Sequence, residues 1–99
     1  MLLDDTMDLL SDPFRRRIMY TLRDMDSEIT EYDEIIDEMI DNNYLRPQSR
    51  NRFEVQLQTR YFPRMADSGV IEYDPRSNVV KYVEDEDVEE LLDFIEKFE

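Results

Sequence analysis

The chain has 99 residues, of which 26 are acidic and 12 basic, with no histidine or cysteine and a formal charge of −14. That composition excludes disulfides, thiolate chemistry, ordinary zinc sites and the commonest general base. No apolar run approaches the roughly 20 residues needed to span a bilayer, and no cationic, apolar leader opens the chain, so a cytoplasmic protein is expected.

Residues 3–10 read as a short helix that packs Leu3, Met7 and Leu10 inward. Asp12-Pro13 starts a second helix: the acid can accept from free N–H groups, and proline loses nothing at the first helical position. Phe14, Ile18, Leu22 and Met25 follow at helical spacing. Thr30 with Asp33 resembles a capping box that opens another helix, with Tyr32, Ile35, Ile36, Met39 and Ile40 inward. Asn42-Asn43 can end it, and Leu45-Arg46-Pro47 is a turn. Asn51, with Glu54 three residues on, is expected to cap a helix over 51–67 whose core face is Phe53, Leu57, Tyr61 and Met65. Pro63 removes the hydrogen bond to the Thr59 carbonyl, so a kink is expected there. Gly69, the only glycine, stands where a left-handed cap is required. Val70–Tyr73 and Val79–Val83 have the β-branched and aromatic content of a hairpin, with residues 74–78 at its tip. Val88, Leu91, Leu92, Ile95 and Phe98 form one apolar stripe on an acidic helix over 85–98.

This order predicts a mainly α protein with a small β-hairpin (α+β), folded as one domain over residues 1–99. A helix running into a hairpin, with two helices upstream, is the pattern of a winged helix-turn-helix. Its core would span 8–83 and its wing 70–83, followed by a C-terminal helix. An apolar content of 40% with clear periodicity argues against disorder.

The stretch Leu10-Ser-Asp-Pro-Phe-Arg-Arg-Arg-Ile-Met-Tyr-Thr-Leu22 resembles the opening helix of ArsR-like winged-helix regulators, which carry Asp-Pro and then arginine before an Ile-Leu pair. Residues 57–74 are similar to a family of small haloarchaeal winged-helix proteins, in which a Leu-Pro-basic-Leu segment precedes Gly-Val and a hairpin. Here those segments are Phe62-Pro63-Arg64-Met65 and Gly69-Val70-Ile71-Glu72-Tyr73-Asp74. Two positions that are often histidine in that family are Thr59 and Tyr61 in this chain. The resemblance implies the winged-helix fold over roughly residues 8–83, a fold that serves both DNA and protein partners.

Charge is distributed unevenly. Residues 24–41 hold nine acids and no base, and residues 84–99 hold nine acids and one lysine. Residues 44–64 carry five arginines against one acid, and Arg76 and Lys81 add positive charge to the hairpin. The positive charge therefore lies on the elements that meet the major groove and flanking phosphates in this fold. Gln56, Thr59 and Arg60, off the apolar stripe, are candidates for base-edge contact. Arg50 and Arg52 at the helix start are candidates for phosphate, and Arg64 continues the basic run. Arg76, Ser77 and Asn78 would be the wing tip. Arg15, Arg16 and Arg17 fan over about 200° and are expected to pair with neighbouring acids.

Scarce lysine beside abundant aspartate points to a proteome adapted to molar salt, where the Debye length falls to about 3 Å. The alternative is an acidic protein of ordinary habitat with a cationic partner. The terminal stripe Val88, Leu91, Leu92, Ile95 and Phe98 could cover this protomer's own core or pair with a second copy. A homodimer is expected, because two recognition helices suit symmetric half-sites. Asp33, Asp37 and Asp41 read as a hydrated helix face, and no metal, cofactor or catalysis is expected. The function expected is a halophilic, dimeric transcriptional regulator that reads double-stranded DNA with helix 51–67 and the 74–78 wing. The alternatives are an acidic winged-helix protein-interaction module without direct DNA binding, and a purely structural dimer.

Overall fold

The computed structural model describes residues 3–99, with side chains from residue 5 onward. Leu3, expected to pack inward, lies outside the described side chains. Helix α1 (Leu3–Leu10) buries Thr6, Leu9 and Leu10, three positions at helical spacing. Met7, expected inside, lies about 100° from Thr6 around the helix and is 56% exposed. Helix α2 (Pro13–Met25) starts as its sequence suggests, with Asp12 Oδ1 accepting from the N–H groups of Phe14 (2.7 Å) and Arg15 (3.3 Å). Ile18 to Leu22 are all buried, so α2 is the central helix.

Thr30 does not cap a helix. Thr30–Glu31 forms strand β1, with Thr30 opposite Val80 and Glu31 opposite Val79. The Tyr32 N–H donates to the Asn78 carbonyl at 3.1 Å. Cross-strand pairing engages backbone groups that a capping box would leave half-satisfied, and it buries the Thr30 side chain. Helix α3 (Tyr32–Asp41) then buries Ile35, Ile36 and Met39, with Tyr32 and Ile40 packed at the margin of the core. Its end is a Schellman motif, in which Asn43 takes φ 61° and Tyr44 N–H donates to the Met39 carbonyl at 2.8 Å.

The third helix is compound. A 3-10 turn over Pro47–Ser49 leads into α4 (Arg50–Gln56), a π-helical segment (Leu57–Tyr61) and α5 (Phe62–Asp67). Asn51 is therefore inside α4 and exposed, not its cap, because a capping residue needs an extended backbone. The effect of Pro63 appears one turn earlier than a simple kink would. Phe62 N–H donates five residues back to the Leu57 carbonyl, and the Thr59 hydroxyl donates to the Val55 carbonyl at 2.8 Å. The wider turn lets the consecutive residues Tyr61 and Phe62 both face the core.

Gly69 closes α5 at φ 78°, again in a Schellman motif, with Val70 N–H donating to Met65. Strands β2 (Ile71–Asp74) and β3 (Val79–Tyr82) form the hairpin, and β1 pairs on the far side of β3. The result is a mainly helical α+β protein with a three-stranded antiparallel sheet in the order β1-β3-β2, a winged-helix-like layout. Helix α6 (Glu86–Glu96), capped by Asp85, lays Val88 and Leu92 into this protomer's own core, with Leu91 and Ile95 packed against it. The terminal stripe thus covers its own core, because the α2 surface beneath it would otherwise lie open. Among the described residues, no helix is long and apolar enough to cross a membrane.

Candidate nucleic-acid interface

The basic segment is presented on the outer side of α4 and the π segment. Phe53 and Leu57 turn inward, where Phe53, Tyr61 and Phe14 form a cluster with ring centroids 5.9–6.2 Å apart. That packing fixes which side faces out. Arg52, Val55 and Thr59, at steps of three and four, are exposed, as is Arg60, and Gln56 is half-buried beside them. Arg60 stacks over the Tyr61 ring at 5.6 Å. Among the described residues, Arg46, Arg52, Arg60 and Arg76 make no ion pair. The segment's single acid, Glu54, is turned towards α3, where with burial and Asp33 it raises the pKa of the Tyr32 hydroxyl.

Two of the expected contacts are committed elsewhere. The Arg50 guanidinium pairs with Asp37 at 2.6 Å and Asp33 at 3.4 Å, tying α4 to α3. Arg64, on the turn beyond the π segment, pairs with Asp8 of α1 at 2.8 Å and donates to Ser68. Thr59 lies on the outer face, but its hydroxyl proton is given to Val55, which leaves only its acceptor capacity.

The wing is short. Asp74 pairs with Val79, and residues 75–78 make the turn. The Asp74 carboxylate accepts from Arg76 N–H (3.0 Å) and from the Ser77 hydroxyl (3.2 Å). Asn78 adopts φ 53° and gives its carbonyl to Tyr32. Ser77 and Asn78 therefore build the turn, and Arg76 projects from it as its free charge.

The other arginines consolidate the helices. Arg15 donates to the Leu9 and Asp8 carbonyls and Arg16 to that of Leu10, so both cap the C-terminal end of α1. Arg16 also pairs with Glu99, and Arg17 lies over the rings of Phe14 and Tyr44. The expected pairing with acids thus accounts for only part of what this run does. Arg23 holds α6 through Asp93 (2.9 Å) and Glu96 (3.1 Å). Of the stripe expected to dimerise, only Phe98 remains well exposed, at 77%. It meets Phe94 edge-on at 5.3 Å, and Phe94 is also exposed.

Two further residues belong to this surface. Val55, 58% exposed, sits between Arg52 and Thr59 in the outer stripe. Its signal was an apolar residue off the Phe53/Leu57 line. Arg46, exposed in the turn before α4, adds a charge to which the sequence reading gives no contact.

A family model described as a domain of unknown function, DUF7344, matches residues 7–81. No curated protein and no solved structure matches the chain.

Proposed function

The chain belongs to the DUF7344 family, and from that premise we propose that it is a winged-helix DNA-binding protein of the ArsR-like haloarchaeal kind, acting as a dimeric transcriptional regulator. The observation that carries this reading is the acid-free outer stripe of α4 and the π segment. There Arg52 and Arg60 stand without ion-pair partners in a molecule of net charge −14. Among the described residues, five of the ten arginines are held in ion pairs within the fold. Arg52 and Arg60 are not and stand on a face without acids, where they flank an amide (Gln56) and an apolar side chain (Val55). That mixture suits base edges: guanidinium to guanine, amide to adenine, and an aliphatic group to the thymine methyl. Arg46 and Arg76 bracket the stripe as phosphate contacts. Phe94 and Phe98 form the dimer contact, which would set two reading helices against symmetric half-sites.

At molar salt, counterion release adds little, so affinity rests on base contacts and DNA shape. Affinity should then fall less steeply with added salt than in a relative adapted to dilute buffer. The decisive experiment mixes the purified protein in molar KCl with fragmented DNA of its source and sequences what is retained. An enriched motif with inverted half-sites supports the proposal. Uniform or absent retention by folded protein would move the function to a protein partner, a reading favoured by the acids of α3.

A further inference from the structure

A cleft of about 630 Å³ lies between Pro13, Arg16, Arg17 and Tyr20 of α2, Tyr44 of the α3–α4 turn, and Glu96 and Glu99. We propose that it binds a small carboxylate with a flat apolar body, and that the Glu99 side chain occupies its anion subsite as a built-in stand-in. The volume is in the range of small-molecule sites.

Three features point to that chemistry. Arg16 is anchored by one Nη to the Leu10 carbonyl at 2.7 Å, which orients its remaining edge, and that edge meets Glu99 through Nε alone. A mobile carboxylate could engage the same edge through two parallel bonds. The Tyr20 hydroxyl is buried without a hydrogen-bond partner, although an unmade bond to a buried hydroxyl is costly. Burial, and then the charge of Glu99 and its approach to hydrogen-bonding range, pushes the Tyr20 pKa up to about 12. The hydroxyl therefore keeps its proton and faces the same carboxylate that a ligand would displace, although the geometry falls short of a made bond. Finally, the Tyr44 ring is held face-on to the Arg17 guanidinium at 5.7 Å and, with Pro13, supplies an apolar wall for a flat body. Guanidinium, donor hydroxyl and ring wall are the elements of an aromatic-acid site.

This site does not depend on the DNA reading and is tested without DNA. Benzoate would be titrated into isotope-labelled protein while the Arg16 Nε–H and the rings of Tyr20 and Tyr44 are followed by NMR, with benzyl alcohol as the uncharged control. The expected result is a saturable shift with benzoate alone. Glu99→Gln should tighten binding about tenfold, the factor expected if the stand-in closes the site nine-tenths of the time. Tyr20→Phe removes only a hydroxyl that makes no well-formed hydrogen bond in the fold, so the protein should keep its melting temperature while benzoate binding weakens about tenfold. No saturation in either wild type or Glu99→Gln would overturn the proposal, as would equal affinity in all three proteins.

Discussion

If the outer stripe reads DNA, the arginines of helix 50–67 should divide sharply between those that touch DNA and those that hold the fold. Arg52 and Arg60 are exposed and unpaired, whereas Arg64 is bound to Asp8 and Ser68 on the α1 side. Replacing Arg52 or Arg60 with alanine should flatten the slope of log K against log salt by about 0.9 where the contact is to phosphate. Where it is to a base edge, the loss should be about 1–3 kcal/mol at every salt concentration, or roughly 5- to 150-fold in Kd. Neither change should lower the melting temperature appreciably. Arg64→Ala should do the reverse. It breaks an ion pair whose side chains are 39% and 70% exposed, a class worth about 0.2–1 kcal/mol, and it should leave DNA affinity within twofold or so. Fluorescence anisotropy on the selected duplex across a KCl series, beside thermal unfolding of each variant, reads both quantities. Equal loss of affinity in Arg64→Ala and Arg60→Ala would refute the reasoning, since a basic patch acting only through bulk charge would not distinguish them.

The C-terminal helix gives two further predictions. Leu92→Ala, at a fully buried position, should cost about 2–5 kcal/mol in denaturant unfolding at any protein concentration. Phe94→Ala with Phe98→Ala should leave the fold intact and shift sedimentation towards monomer; an unchanged profile would remove these residues from the dimer contact. Gly69→Ala should cost about 1–2 kcal/mol from backbone strain alone, because nothing lies within 4 Å of the added Cβ, and Gly69→Asn should cost less. The tyrosines set an alkaline limit. Burial raises the pKa of Tyr20, Tyr61, Tyr73 and Tyr82 above the ordinary 10.0. Unfolded chains therefore lose these protons first, and stability, complete below that pH, declines as pH rises above it. Tyrosinate absorbance from these four should accordingly appear together with loss of helical circular dichroism; their free titration in the folded state would contradict this.

Helix faces were legible because period 3.6 marks them locally. The stripes of α3 and of helix 50–67 are inward as expected, and Asp12, Asn43 and Gly69 punctuate the chain where local chemistry requires them. What failed depends on partners distant in sequence. Two residues cannot display strand periodicity, so β1 exists only because Val79 and Val80 lie alongside. A capping box and a buried strand threonine look alike until that neighbour is present. The stripe on α6 is the same whether it covers α2 or a second copy, and Arg23, 70 and 73 residues away from its partners, helps to decide the matter. The candidate site was legible as a charge segment but not as individual contacts. Arg64 finds Asp8 across 56 residues, a partner that spacing alone does not reveal.

The remaining question is how so acidic a protein presents a face to a polyanion. Helix α3 lies beside the reading helix and carries Asp33, Glu34, Asp37, Glu38 and Asp41. Around a helix of 100° per residue, Asp33, Asp37 and Asp41 follow one another at about 40° steps along one face, with Asp41 at its far end, while Glu34 and Glu38 fall about 80–120° away from the middle of the Asp33/Asp37 flank. Arg50 pairs with just the first two. If the stripe reads DNA as proposed, the contribution of Arg50 is cancellation: two carboxylates that would stand next to the approaching phosphates are neutralised, and Glu34 and Glu38 are carried round the side. The same logic applies to Glu54, the one acid on α4, which turns to Tyr32 and away from the stripe. Residual repulsion from the far flank acts over a distance that molar salt cuts to about 3 Å. On the proposed reading, a −14 chain can keep its solvating acids and still bind DNA where the short-range face is largely cleared of them, which is what the Arg50 and Glu54 contacts do.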